Sequence, residues 1–174
     1  MPVELGDIRI EPLTDLHRRD RFRCANPQIE NFCRGGLADA NRSFALRAFV
    51  ACERGSKDIL GFYYLCATSV EHDAVDRGTG SRFVAMDKIP ALYLGMIGVH
   101  KPVMRCGVGA SLMKDAFLRV MEVANSVGVW ALTLDAIDQE VARYYEEKFE
   151  FRRFADGGLE MYLPLGSIMQ LGLD

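Results

Sequence analysis

Histidine is scarce in this sequence, and the three present, His17, His72 and His100, lie far apart. None has metal-ligand spacing to another, so no resident metal centre is expected. The five cysteines, Cys24, Cys33, Cys52, Cys66 and Cys106, are odd in number and form no C-x-x-C. That pattern argues for reduced thiols in a cytoplasm and against a disulfide framework. No apolar run is long enough to cross a bilayer. The opening Met1-Pro-Val-Glu-Leu5 has neither a basic n-region nor an apolar h-region, so no secretory leader is expected. Positive charge is not in excess either: 21 Lys and Arg face 24 Asp and Glu, for a net charge of −3. Nothing in that balance advertises a nucleic-acid partner. Repeats, low-complexity segments and linkers are missing too, so residues 1–174 read as one domain around one core.

What is present is an ordered alternation of strand and helix signals. Ile8-Arg-Ile-Glu-Pro12 alternates as a short strand. Asn26-Pro27 has the chemistry of a helix start, with Asn as N-cap and Pro at the first helical position. Ile29, Phe32, Cys33, Leu37 and Ala40 follow at helical spacing, across a Gly35-Gly36 pair that weakens or bends the helix. Leu46–Glu53 and Ile59–Val70 read as a hairpin. Residues 71–90 read as a long polar connection, followed by a strand over Leu92–Val99. A long amphipathic helix comes next, its buried stripe formed by Leu112, Ala116, Phe117, Val120, Val123, Ala124 and Val127, with Gly128 as its stop. Val129–Leu134 is a further strand. A short helix over Gln139–Lys148 is capped by Asp138, and strands near Phe149–Phe154 and Leu159–Leu163 close the chain. The order predicts an α/β domain with a mixed sheet.

The chemistry concentrates where the Leu92–Val99 strand meets the long helix. Between them lie Lys101, Pro102, Arg105 and Gly107-Val-Gly109. A helix start carries N–H groups with no internal partner and the positive end of a dipole, which together suit a phosphate. Glycines there let a pyrophosphate approach the backbone. The spacing is neither G-x-x-x-x-G-K-[ST] nor G-x-G-x-x-G, since Leu112 occupies the last position of the latter. Elsewhere, Arg18, Arg19, Arg21 and Arg23 form the densest basic cluster; it reads either as a solvated turn or as a patch for an anionic partner.

The segment Met104-Arg-Cys-Gly-Val-Gly-Ala110 resembles the acyl-CoA loop, Q/R-x-x-G-x-G/A, of the GNAT (GCN5-related N-acetyltransferase) superfamily. It departs from that pattern at Met104, and Arg105 stands beside it as a substitute charge. Four further stretches are similar to the GNAT toxins of type II toxin–antitoxin modules. They are Phe22-x-Cys24-x-Asn26-x-x-Ile29-x-x-Phe32, Gly61-Phe-Tyr-x-Leu-x-x-x-Ser-Val-x-His72, Ile89-Pro90 and Ala136-x-x-x-Glu140-x-x-x-Tyr144-Tyr145. Three departures stand against that branch: Met96 where it often has Arg, His100 where it often has Asp, and an acidic overall charge.

The resemblance implies one GNAT-like domain. Its sheet is mixed and mostly antiparallel, splayed at the acyl-CoA site and flanked by helices. It implies a cytoplasmic N-acetyltransferase that moves acetyl from acetyl-CoA directly to a primary amine. On the toxin reading the amine is that of aminoacyl-tRNA; a small-molecule or protein amine is the alternative, and a non-catalytic acyl-CoA-binding protein a third. Cofactor contacts are expected from backbone groups of Ile97, Gly98 and Val99, along the pantetheine arm. Met104, Arg105, Cys106, Gly107, Val108, Gly109 and Ala110 would surround the pyrophosphate. Tyr145 is the expected general acid for the departing thiolate, with Tyr144 remaining open. His100 is a candidate base by its position and ordinary pKa. Arg19 and Arg21 are the residues expected to meet an RNA acceptor. Acetyl-CoA, an aminoacyl-tRNA and a cognate antitoxin are the implied partners, with a homodimer left open.

Overall fold

The computed structural model describes residues 5–75, 83 and 86–173, and the central part of the 71–90 connection lies outside the described residues. Seven strands are hydrogen-bonded in the order β1-β2-β3-β4-β5-β7-β6, an open sheet. They are β1 (Ile8–Pro12), β2 (Arg47–Glu53), β3 (Gly61–Glu71), β4 (Lys88–Val99), β5 (Ala131–Asp135), β6 (Arg152–Arg153) and β7 (Glu160–Pro164). The helices are α1 (Pro27–Arg34), α2 (Leu37–Arg42), α3 (Val108–Ala124), α4 (Gln139–Phe149) and α5 (Leu165–Met169). The β4–β5 pair is parallel; β1–β2, β2–β3, β5–β7 and β6–β7 are antiparallel. The chain forms two compact units.

The first unit holds residues up to Cys66 together with Leu94–Ala116. The Asn26 carboxamide accepts from the N–H groups of Gln28 (2.9 Å) and Ile29 (3.4 Å), and Pro27 starts α1 with its φ already fixed. Gly35-Gly36 does more than bend this helix. It ends α1 at Arg34, and α2 begins as a separate turn at Leu37. The apolar faces of both helices close over Leu46, Val50, Cys52, Ile59 and Phe62, all buried. The other face of β3 meets α3: a methyl group added at Gly61 would sit 2.9 Å from both Val108 and Leu112 side-chain atoms. Buried Tyr63 donates from its hydroxyl to Asp115 Oδ2 of α3 at 2.5 Å.

The second unit holds Ala67–Tyr93 and residues from Phe117 onward. Asp138 caps α4 by accepting from Val141 N–H at 2.8 Å. The helix runs through Phe149 and stops on Glu150, whose φ of +64° places it in the left-handed cap usually given to glycine. The strand expected over Phe149–Phe154 is therefore only Arg152–Arg153. Arg153 ties this short edge down, donating to Glu146 Oε1 (2.8 Å), Gln139 Oε1 (2.6 Å) and the Gly158 carbonyl (2.8 Å). Two other boundaries differ from expectation. β4 begins at Lys88, and α3 ends at Ala124 instead of running on to Gly128, which leaves Val127 61% exposed. Asn125 and Ser126, which favour turns over helix interiors, account for the early stop.

Candidate active site

Gly107 carries a φ of +86°, and its carbonyl accepts the first intrahelical bond of α3, from Ser111 N–H at 3.0 Å. The amides of Val108, Gly109 and Ala110 precede that bond and belong to the unpaired first turn of a helix of 17 residues. Their charge and the helix dipole favour an anion here. A methyl added at Gly107 would meet nothing within 4 Å, and one added at Gly109 only Val99 at 3.6 Å. The loop's outer surface is thus open. Arg105 is exposed and also left-handed, with a φ of +62°. Met104 is exposed, Cys106 is half-buried, and its thiol donates to the Met104 carbonyl at 3.6 Å. Val108 is buried and anchors the helix start.

Leading into that loop, β4 departs from regular strand geometry. Met96 has a φ of +46° and an exposed side chain. The distortion shows in which way its neighbours face. A methyl at Gly98 would strike Ile29 (2.6 Å) and Phe62 (2.8 Å), and one at Gly95 would strike the Tyr64 ring (2.0 Å). Phe62 and Tyr64, two apart on β3, share the face covered by α1. Gly95 and Gly98 therefore point to the same face although they are three apart, which a regular strand forbids. The left-handed residue between them is a bulge that adds one residue to the alternation. Gly98 is buried, and Ile97 and Val99 are half-buried on either side of it. On its other side β4 pairs with β5 over Ala91–Tyr93, and the pairing stops at the Tyr93–Thr133 rung while β4 runs on to Val99.

His100 closes the strand and is committed to structure. Its Nδ1 accepts from the Arg23 N–H at 3.0 Å, and its ring lies 5.9 Å from that of Phe22. The backbone amide can only donate, so the neutral ring carries its proton on Nε2. This anchoring, with Lys101 N–H donating to the Arg23 carbonyl at 2.8 Å, explains His100 without a catalytic role.

The two candidate acids of α4 differ sharply in environment. Tyr144 is 48% exposed. Tyr145 turns inward, its ring 5.7 Å from Phe151 and 6.4 Å from Phe149. Burial, with a smaller contribution from Tyr144, pushes the Tyr145 phenol up to about 12. It therefore holds its proton throughout the physiological range, as a donor to a thiolate must.

The arginine cluster proves to be unequal. Arg18 Nε donates to Asp58 Oδ1 at 2.6 Å, and Arg23 Nη1 donates to the carbonyls of Asp20 and Phe22, both at 2.8 Å. Arg21 is exposed and only loosely paired, 3.6 Å from Asp58 Oδ2. Arg19 has an enclosed Nε without a hydrogen-bond partner. Arg21 thus retains more capacity for an outside anion than Arg18 and Arg23.

One feature of the second unit escaped the sequence motifs. A cavity of about 320 Å³ opens at the last β4–β5 rung, lined by Tyr93, Thr133, Asp135, Phe154, Glu160 and Met161 among others. Tyr93 donates from its hydroxyl to Asp135 Oδ2 at 2.9 Å. Strand pairing alone brings these residues together, and no local spacing announces them.

A strand ending in a glycine turn at a long helix, within an open sheet of this order, defines the class as a GNAT acyltransferase. Family models give no match. A probable toxin TacT of Sinorhizobium fredii (strain NBRC 101917 / NGR234) is 31% identical over 173 residues, 93% of this chain and 93% of that protein. A tRNA-acetylating toxin of Mycobacterium tuberculosis (strain ATCC 25618 / H37Rv) is 29% identical over 134 residues, 76% of this chain and 78% of that protein. Among solved structures, AtaT complexed with acetyl-methionyl-tRNAfMet is 25% identical with a TM-score of 0.86, covering 95% of this chain and 99% of that one. AtaTR bound with AcCoA matches at 25% identity and a TM-score of 0.82, covering 95% and 98%. The chain belongs to the GNAT acetyltransferase toxins of type II toxin–antitoxin modules, the family of TacT and AtaT.

Proposed function

We propose that this protein transfers acetyl from acetyl-CoA to the amino group of an aminoacyl-tRNA, blocking translation until a cognate antitoxin binds it. The observation that carries this reading is the near full-length likeness to AtaT in complex with acetyl-methionyl-tRNAfMet. The cytoplasm is the compartment that holds both substrates.

In this reading the amides of the 107–110 turn bind the pyrophosphate, with Arg105 beside them. The edge of β4 at Ile97–Val99, beyond the last β4–β5 rung, takes the pantetheine arm as an added strand would. A strand amide, from Ile97, faces the thioester oxygen and stabilises the developing oxyanion. The acceptor nitrogen attacks the thioester carbon, the C–N bond forms and the C–S bond breaks. The thiolate takes its proton from Tyr145, and the proton lost by the ammonium returns through solvent to the Tyr145 phenolate. Holding both substrates together supplies most of the rate, because a direct transfer needs no acyl-enzyme.

The acceptor is tested by charged tRNA and by salt. Radiolabelled acetyl is expected on charged tRNA, at rates far above those on small free amines. Arg19→Ala with Arg21→Ala should weaken tRNA acetylation and leave acetyl-CoA affinity unchanged. Each lost phosphate contact should flatten the dependence of log K on log salt by about one unit. A reaction insensitive to salt and faster on a free amine would replace the tRNA reading with a small-molecule enzyme.

A further inference from the structure

Tyr64 packs against β4 at Gly95, within the proposed transfer site. The ideal position of a Gly95 methyl falls 2.0 Å from Tyr64 Cζ and 2.3 Å from its hydroxyl oxygen. The end of the phenol ring therefore lies against bare backbone, one residue before the Met96 bulge and two before Ile97. Phe32 of α1 supports the ring from behind, centroids 5.8 Å apart, and Tyr64 itself is only half-buried. The glycine is what admits the ring, since any side chain at position 95 would displace it.

The two faces of the strand have different tasks. α3, which carries the anion-binding turn, packs on the face of Gly61 and Tyr63. Tyr64 lies on the opposite face, with Phe22, Ile29 and Phe32. Tyr64 is half-buried against Gly95, so its ring stands beside an acceptor that meets a donor held at Ile97.

We infer that Tyr64 is a specificity-determining residue, a wall that limits the size of the acceptor's side chain beside its reactive amine. This rests on the acetyl-transfer reading above. The half-buried phenol fills space that a large aminoacyl group would need, whereas a small one passes it. An extra or missing methylene against an apolar wall is worth about 10–200-fold in kcat/KM.

The test is acetylation of glycyl-, methionyl- and phenylalanyl-tRNA, and of glycinamide, methioninamide and phenylalaninamide, by the wild type and by Tyr64→Ala, Tyr64→Leu and Tyr64→Phe. Calorimetry with acetyl-CoA accompanies each variant. Tyr64→Ala should raise kcat/KM for large acceptors relative to glycyl ones by about 10-fold or more, with acetyl-CoA affinity unchanged. Tyr64→Phe, which keeps the ring, should preserve the wild-type ratio. Should the Ala variant not fold, Tyr64→Leu retains an apolar contact with Phe32 and reads the same ratio. A ratio that stays fixed in an active Ala or Leu variant overturns the inference and leaves the acetyltransferase reading intact. A wild type active on the amides but not on charged tRNA removes the tRNA acceptor, and the size ratio is then read on the amides. A wild type inactive on every acceptor overturns both.

Discussion

Tyr145→Phe is expected to lower kcat on the order of 10²-fold, the usual loss when a positioned general acid is removed. Acetyl-CoA affinity should hardly move, because the lost hydroxyl acts on the sulfur only as the C–S bond breaks. The aromatic contacts with Phe149 and Phe151 survive the change, so the fold should be unaffected. The pH dependence is a second check. Burial raises the phenol to about 12, so its protonated form, the active one, persists until pH approaches that value. The wild-type rate should therefore rise as the acceptor amine loses its proton, then stay level to about pH 10, with no falling limb from this group. A falling limb near pH 8 would assign proton donation to another residue. Tyr144→Phe is the paired control. That ring is half exposed, and its hydroxyl should matter little; a larger loss there than at Tyr145 would transfer the acid role to Tyr144. In cells, induced expression of the wild type should arrest growth, and Tyr145→Phe should not.

Sequence reasoning reached the elements whose signals are local. Asn26-Pro27 and Asp138 cap their helices as their chemistry dictates, because a cap needs only the residue and the next turn. Gly35-Gly36 weakened the helix on paper and divides it in fact. The start of β4 was harder to read, because Pro90 lies inside it and a proline usually ends a strand. Pro90 is tolerated here with its carbonyl in use, accepting from Trp130 N–H at 2.8 Å. α5 is five residues long, too short for a period, and β6 is held by Arg153 contacts drawn from distant segments.

The candidate site divides along the same line. The glycine turn could be read from its residues. The left-handed Met96, which turns Gly95 and Gly98 to one face, could not, since nothing about methionine asks for a φ of +46°. The unequal arginines of the 18–23 cluster depend on Asp58, brought alongside by a parallel bridge to Arg18. His100 looked like a base because it stands at the end of the right strand. Its nitrogen was already engaged by a backbone amide 77 residues earlier in the chain.

Gly107→Val and Gly109→Ala should separate backbone strain from ligand contact at the anion turn. Gly107 has a φ of +86°, a region that a β-branched residue enters only at a cost of about 1–3 kcal/mol. Open space around the added atoms offers no clash. The turn relieves that strain by reorienting the amides of Val108 and Gly109, so bonds to the pyrophosphate are lost. Two charge-assisted bonds at about 1.5 kcal/mol or more each correspond to an affinity loss of about 10²-fold. Some stability is lost with them. Gly109→Ala acts differently. The new methyl sits at an ordinary 3.6 Å from Val99, and alanine is the better helix former by about 1 kcal/mol. Its melting temperature should therefore hold or rise, while the methyl stands between the backbone and a bound pyrophosphate. Calorimetry with acetyl-CoA beside thermal melts reads both quantities. Weaker binding in a protein as stable as the wild type, or more so, identifies the turn as the anion site. Full affinity in both variants would place the pyrophosphate elsewhere.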